Sequence, residues 1–361
     1  MPRCAAGYHR DVPGIAFVTD FFSGEGFPLS PNGVAYYRCV LPSRTLPGRV
    51  DVGRPAWTGS EGFGVVTSPA SASFFYDTVV LKGLMGRNTT FQMKAAQELG
   101  QRIIVDIDDW AEEIPEWSEA ARLADADASH VFNTDHLRDV IMQADAVTTS
   151  TAFLFDAYSN IRHNVRLVRN SISADVMNVR QVKNVAPVLG WVGHMGKRTG
   201  DIESLRGWLP AFLEDHDLRF HHSGHVDDAP SFAEVAGVDP LRVTTSPLKK
   251  IDGYFRDSFC FDIGLVPMVD IPFNHAKSSL KGLEYAASGI PFVAQDLPEY
   301  RLLAASGVGR TAGDHETWTQ QLEVLLDFKT RKREAAVNLA NVKREHTIAT
   351  RADEWRAALL G

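Results

Sequence analysis

The chain has little cysteine. Cys4, Cys39 and Cys260 are the only three in 361 residues, they lie far apart, and none sits in a CxxC spacing, so neither a disulfide framework nor a clustered zinc site is expected. No apolar run approaches the roughly 18 residues a membrane-spanning helix needs. The first such run, Gly14-Ile15-Ala16-Phe17-Val18, is too short for an export signal. We therefore expect a soluble, cytoplasmic protein without a transmembrane segment. Basic excess is missing as well: 37 Lys and Arg against 45 Asp and Glu leave a net charge of −8, which makes nucleic acid an unlikely partner. Finally, Gly24-Glu25-Gly26 is followed by Leu29 where a third glycine would complete a dinucleotide fingerprint, which disfavours a nicotinamide or flavin enzyme.

What is present is an ordinary globular composition, 44% apolar and 23% charged, in a length that suits two domains. Short β-branched and aromatic runs alternate with helical stretches, the pattern of parallel α/β units. In the first half the predicted strands are Gly14–Thr19, Gly64–Ser68, Thr78–Leu81, Arg102–Asp106, Ala146–Thr149 and Val165–Val168. The second half repeats the pattern at Val188–Val192, Leu218–His222, Arg242–Thr244, Phe261–Val266 and Pro291–Ala294. Predicted helices include Thr89–Leu99, Thr134–Gln143, Asp201–Leu213, Leu248–Ser258, Lys277–Ser288 and Thr330–His346. The polar stretch Ser171 to Pro187 separates the two series. This divides the chain into residues 1–172, a linker 173–187, residues 188–345, and a final segment 346–361 amphipathic enough to dock on a domain. Two doubly wound sheets joined in this way leave a ligand crevice at the carboxyl ends of their strands.

In the second half, Lys277, Lys281 and Glu284 are spaced i, i+4, i+7 on a predicted helix, which would put two cations and a carboxylate on one face. Unpaired N–H groups at Lys277 to Ser279 would add a seat for a diphosphate. A solvated face with an intrahelical ion pair is the alternative. Leu280, Leu283 and Ala287 fall on another face and are expected to pack on the sheet. In the first half, Asp106-Ile107-Asp108-Asp109 closes a strand. Alternation sends Asp106 and Asp108 to one side and leaves Asp109 at the cleft. An Asp-x-Asp pair suits a divalent metal; acceptor binding, general-base action or a simple cap are the other readings. Acidic side chains crowd the whole segment Asp106 to Asp127. Arg38 could bind a phosphate or an acceptor carboxylate, or pair with an acidic neighbour. His221 and His222 alternate along a strand end and cannot share one ion without a bulge.

The run Asn274-x-x-Lys277-Ser278-x-Leu280-Lys281-x-Leu283-Glu284-Tyr285-Ala286-Ala287-x-Gly289-Ile290-Pro291, followed by Pro298-Glu299-Tyr300, resembles the carboxyl-terminal domain of group-one, retaining-type glycosyltransferases of the GT-B fold. Gly190-Trp191-Val192-Gly193 with Asp201, Ala144 to Thr151 with Arg169-Asn170, and Tyr37-Arg38-x-x-x-Pro42 extend the resemblance over most of the chain. It implies two Rossmann-like domains facing a cleft, with a nucleoside diphosphate sugar on the second and a hydroxyl acceptor on the first. It further implies that Glu284 holds the nucleotide ribose as the second glutamate of an E-x7-E motif. The first glutamate would stand at Ala276, and Asn274 or Lys277 could take its place. Gly193, Lys197 and Arg198, with Ser278, Lys277 and Lys281, would receive the diphosphate, while Asp108, Asp109 and Arg38 would act on the acceptor side. No cofactor is required on this reading, and a divalent metal is possible but not favoured. The rivals are a non-catalytic sugar-nucleotide binding or regulatory protein and a glycosyltransferase acting on modified DNA bases.

Overall fold

A computed structural model of the chain describes residues 14–23, 29–86, 88–119, 121, 134–178 and 186–361. Cys4, the Gly24-Glu25-Gly26 loop, Asp125, Asp127 and residues 179–185 of the connecting stretch lie outside the described residues.

The first half opens with β1 (Ile15–Thr19) and a two-stranded ribbon, β2 (Phe22–Ser23) against β3 (Ser30–Pro31). Next come β4 (Val50–Thr58), β5 (Gly62–Ser68), β6 (Ser71–Ser73), β7 (Thr78–Lys82), β8 (Arg102–Ile107), β9 (Ala146–Thr149) and β10 (Val165–Leu167). They form a sheet in the order β10-β9-β8-β7-β1-β4-β5-β6. The strands from β10 to β4 run parallel, but β4–β5 and β5–β6 pair antiparallel, so the sheet is mixed rather than wholly parallel. The nine-residue β4 was not predicted because Asp51, Gly53 and Pro55 interrupt its apolar run. It changes partner midway: Val50–Gly53 pairs with β1 and Arg54–Thr58 with β5. Gly53 permits this, since a Cβ there would stand 2.8 Å from the Val66 carbonyl oxygen.

The second half contains β11 (Val188–Val192), β12 (Arg219–His225), β13 (Val243–Pro247), β14 (Ile263–Val266), β15 (Phe292–Gln295) and β16 (Arg310–Ala312), all parallel, in the order β13-β12-β11-β14-β15-β16. The order reverses between β11 and β14, the point at which doubly wound sheets open a ligand crevice. Only Leu189 and Gly190 of β11 pair with β14. Beyond them the strands part, and the buried Tyr285 hydroxyl bridges the gap, accepting from Val192 N at 3.1 Å and donating to the Leu265 carbonyl at 3.3 Å. Gly264 leaves room for the Tyr285 ring, which a Cβ would meet at 2.4 Å.

Strands buried on both faces send alternate residues to different cores. Ile15 and Phe17 of β1, Ile104 of β8, Val192 of β11 and Phe292 and Ala294 of β15 belong to one cluster shared by both halves. Ala16, Val18, Ile103 and Val105 face a first-half cluster, and Leu189, Trp191 and Val293 a second-half one. The last helix, Ala352–Leu360, lies against the first half. Trp355 packs edge-on to Phe17 at 6.3 Å and under the Arg38 guanidinium at 4.7 Å, while Arg102 and Arg356 donate to the Leu359 and Thr45 carbonyls. Among the described residues, no helix is long and apolar enough to cross a membrane. The expected helix Asp201–Leu213 is two pieces, Thr199–Glu203 and Leu209–Asp215, because Pro210 starts a new first turn. Since Trp355 is almost wholly buried, Trp355→Ala is expected to lower unfolding stability by about 3–5 kcal/mol, measurable by urea titration of the full chain.

Candidate functional site

The carboxyl edge of the first sheet is organised by a buried ion pair. The segment Tyr36–Val40 is a π-helical turn, a form that often marks functional positions. It directs Arg38, fully buried, onto Asp106 at the end of β8. Arg38 Nη2 donates to Asp106 Oδ2 at 2.6 Å, and its Nη1 donates to the Val168 carbonyl at 2.7 Å and Asn170 Oδ1 at 3.1 Å. Thr148 Oγ1 adds a 2.7 Å bond to Asp106. Burial alone would raise the Asp106 pKa, but Arg38 and Lys82 outweigh it and hold the carboxyl down at about 2. Arg38 is thus a structural cation. The expectation that it meets a phosphate or acceptor is corrected, because its donors are spent and it has no solvent access.

Lys82, a lysine ending the otherwise apolar β7, completes the cluster with Nζ at 2.5 Å from Asp108 Oδ1 and 3.2 Å from Asp106 Oδ1. Asp106 and Asp108 therefore do share a side, and Asp109 turns the other way into the cleft. Lys82 was not anticipated from the sequence. Its signal was available: a lone lysine at the carboxyl end of a buried strand belongs where sites form.

In the second half, Gly193 follows β11, and its carbonyl accepts from His222 at 3.0 Å. Lys197 is exposed, without a side-chain partner among the described residues. Arg198 Nη1 bonds Asp201 Oδ2 at 3.0 Å and Asn274 Oδ1 at 3.3 Å. Asn274 is buried, and its amide nitrogen donates to Asp201 Oδ1 at 2.7 Å and the Val269 carbonyl at 2.9 Å. It is therefore committed to a structural network and does not offer itself to sugar hydroxyls as expected.

The helix carrying Glu284 also differs from expectation. Pro272 starts a short turn, Pro272–His275, and the main helix begins only at Leu280. Lys277 sits in the break, so Lys277, Lys281 and Glu284 do not form one helical face. The Lys277 amide is already bonded to the Asn274 carbonyl at 3.1 Å. The Lys277 ammonium crosses the cleft to Asp109, 2.5 Å from both carboxylate oxygens, and lies over the Phe273 ring. Desolvation pulls its pKa down, Asp109 opposes this, and the nearby Arg198 charge adds to the lowering. Lys281, by contrast, bonds Tyr254 Oη at 3.0 Å and Glu284 Oε2 at 3.2 Å. Glu284 also accepts from Tyr254 Oη at 2.7 Å on Oε2 and from Tyr37 Oη at 2.9 Å on Oε1. Leu283 and Ala287 are buried as expected, and Gly289 ends the helix at φ +70°.

Several contacts close the cleft beside these. Asn170 donates to Ser278 Oγ at 2.8 Å, Thr151 Oγ1 donates to the Ala276 carbonyl at 3.2 Å, and Glu299 accepts from the Ala152 amide at the start of helix Ala152–Ser159 at 3.1 Å. Ala276, where the resemblance expects a glutamate, is fully buried and packs into the first-half cluster; a carboxylate there would break the contact between the halves. His221 bonds Thr244 and Ser246 while His222 stacks on Trp191 at 5.1 Å, so they face apart, and no group of three or more metal-ligating side chains occurs among the described residues. On the flank of the cleft lies a cavity of about 760 Å³ bounded by Phe22, Tyr36, Arg44, Asp51, Ile251 and Asp252.

Neither a protein-family model nor a curated protein sequence matches the chain. Solved structures do. A sucrose-phosphate synthase from Thermosynechococcus elongatus superposes with a TM-score of 0.62 at 13% identity, covering 94% of this chain and 96% of that one. Anabaena Alr3699/HepE in complex with UDP-glucose gives 0.59 at 13% identity, covering 96% and 98%. A glycosyltransferase from Rickettsia africae gives 0.56 at 10% identity, covering 78% and 77%. The chain therefore has the two-sheet GT-B architecture of glycosyltransferases, as the resemblance implied.

The ion pair at the heart of the first half makes a sharp prediction. Asp106→Asn leaves Arg38 buried and uncompensated, at an expected cost of about 3–5 kcal/mol. Because the folded carboxyl titrates below the unfolded one, the pair's contribution is complete above about pH 4 and is lost as pH falls toward 2. The gap between wild type and variant in urea titrations should narrow over that window.

Proposed function

We propose that the protein is an enzyme, a glycosyltransferase that moves a sugar from a nucleoside diphosphate sugar to a hydroxyl acceptor, with retention at the anomeric carbon. One observation carries the reading: in the second half Lys281 lies against the buried Glu284 while Lys277 and Arg198 neighbour each other, in a fold shared with a protein crystallised with UDP-glucose. In the reaction the bond between the anomeric carbon and the diphosphate breaks, and negative charge grows on the leaving oxygens. Cations positioned beforehand stabilise that charge at no reorganisation cost. Glu284 takes the ribose hydroxyls. Asp109, at the cleft end of β8, faces the acceptor side as candidate base, with Asp108 held beside it by Lys82. Both carboxylates already lie against lysines, which supports a reaction that does not depend on a divalent metal. The flanking cavity, with aromatic Phe22 and Tyr36 and polar Arg44, Asp51 and Asp252, suits a hydroxylated acceptor.

A donor panel tests this. Nucleoside diphosphate release from one sugar donor is expected to persist in EDTA. Lys277→Ala or Lys281→Ala should each lower kcat/KM by about 10²–10³-fold. Full activity in both variants would overturn the assignment of the donor site. Binding without turnover across many acceptors would instead favour a sugar-nucleotide binding protein, the reading to which alanine at position 276 lends weight.

A further inference from the structure

We propose that the first half of the chain carries stand-ins for the donor, the Tyr37 hydroxyl for its ribose and the Asp109 carboxylate for its diphosphate, and that the donor binds by displacing both. This rests on the donor reading above and adds a competition to it.

The geometry at Glu284 is the first argument. The residue is 4% exposed, and a vicinal diol would present two hydroxyl donors to its carboxylate. Two phenols do so here, Tyr37 on Oε1 and Tyr254 on Oε2. Tyr254 belongs to the second half, as Glu284 does, so of the two phenol bonds only that of Tyr37 crosses between the halves. Lys277 is bound in a second such contact. There the two Asp109 oxygens, both at 2.5 Å, meet an ammonium whose other charged neighbours are Arg198 and Asp108. A carboxylate with both oxygens on one ammonium occupies the seat a phosphate oxygen would take. The two contacts sit on different elements, the π-helical turn and the end of β8, yet each joins a first-half group to a second-half donor-binding group.

Other bridges, among them Asn170 to Ser278, Thr151 to Ala276, Ala152 to Glu299 and Arg169 to Glu299, involve neither the Lys277 nor the Glu284 side chain. They can hold the halves together while the stand-ins exchange. Competition of this kind lowers apparent donor affinity by the fraction of molecules in which the internal contacts are open. It also ties the acceptor side to the donor, since a bound phosphate keeps the Asp109 carboxylate off Lys277.

Calorimetric titration of the full chain with UDP, GDP and ADP distinguishes the possibilities. Tyr37→Phe keeps the ring and removes only the donor hydroxyl, and Asp109 is half exposed, so both variants are expected to fold. Each should tighten nucleoside diphosphate binding by about three- to tenfold. In a Lys277→Ala background the gain from Asp109→Asn should vanish. A merely structural role for either side chain would weaken binding or leave it unchanged. Unchanged or weaker binding in both variants, with wild type binding normally, overturns the stand-in proposal and leaves the donor reading intact. No binding of any of the three nucleotides to any variant or to wild type overturns the donor reading itself.

Discussion

The Arg38–Asp106 pair is the interaction on which the rest of the molecule depends. A buried pair is weak evidence for net stability, because removing two charges from water offsets much of their attraction. Its value here is connectivity. Arg38 is tied to the ends of β8 and β10 through Asp106 and Val168, Asp106 to β9 through Thr148 and to β7 through Lys82, and Trp355 of the last helix covers the guanidinium. From Arg38 the chain of bonds continues through Asn170 to Ser278 in the second half. The charges within the cluster cancel: Arg38 and Lys82 against Asp106 and Asp108. The first-half edge therefore adds little field of its own, and Asp109, outside the cluster, is left as the carboxylate turned to the cleft.

This sorting explains how a chain with a net charge of −8 can still present cations at the crevice of its second sheet. Those cations are few and placed by backbone turns: Lys197 and Arg198 by the loop after β11, Lys277 by the break between two helical segments, Lys281 in the first turn of the next helix. Asp201 and Asn274 fix Arg198 by hydrogen bonds that use most of their own capacity. Global charge bears on non-specific association; local charge at a strand switch decides the ligand.

Much of the fold was legible from sequence. Ala146–Thr149 and Val188–Val192 coincide with the predicted strands, and the predicted helix Lys277–Ser288 with its glycine stop and following strand is matched by helix Leu280–Ala287, Gly289 and strand Phe292–Gln295. Local patterns carry such information because apolar periodicity and terminators act within one element. Failures occur where a neighbour decides. Nothing local says that β4 will trade partners at Gly53, or that Pro272 will take up the turns that would have placed Lys277 on a helix. Asn274 and Arg38 have side chains suited to ligands, and only the fold reveals that Asp201 and Asp106 reach them first. Tyr254 gave no signal at all, since its role exists only by proximity to Glu284.

The π-helical turn resolves a geometric conflict between stability and access. Tyr37 and Arg38 are consecutive, yet one serves the second half's Glu284 and the other the first half's Asp106. A wide turn alters the angular step between neighbours, so adjacent side chains can be aimed at targets that a regular helix would not offer together. The energetic consequence is a partition. Arg38 sits in a fully buried pocket held mainly by first-half groups, whereas Tyr37 makes a single hydrogen bond to the Glu284 carboxylate, of the kind worth about 1.5–3 kcal/mol net. Release of Tyr37 from Glu284 therefore breaks one contact between the halves while Arg38, one residue away, keeps its bonds to Asp106 and Val168. The turn can thus let go of the second half without loosening the first.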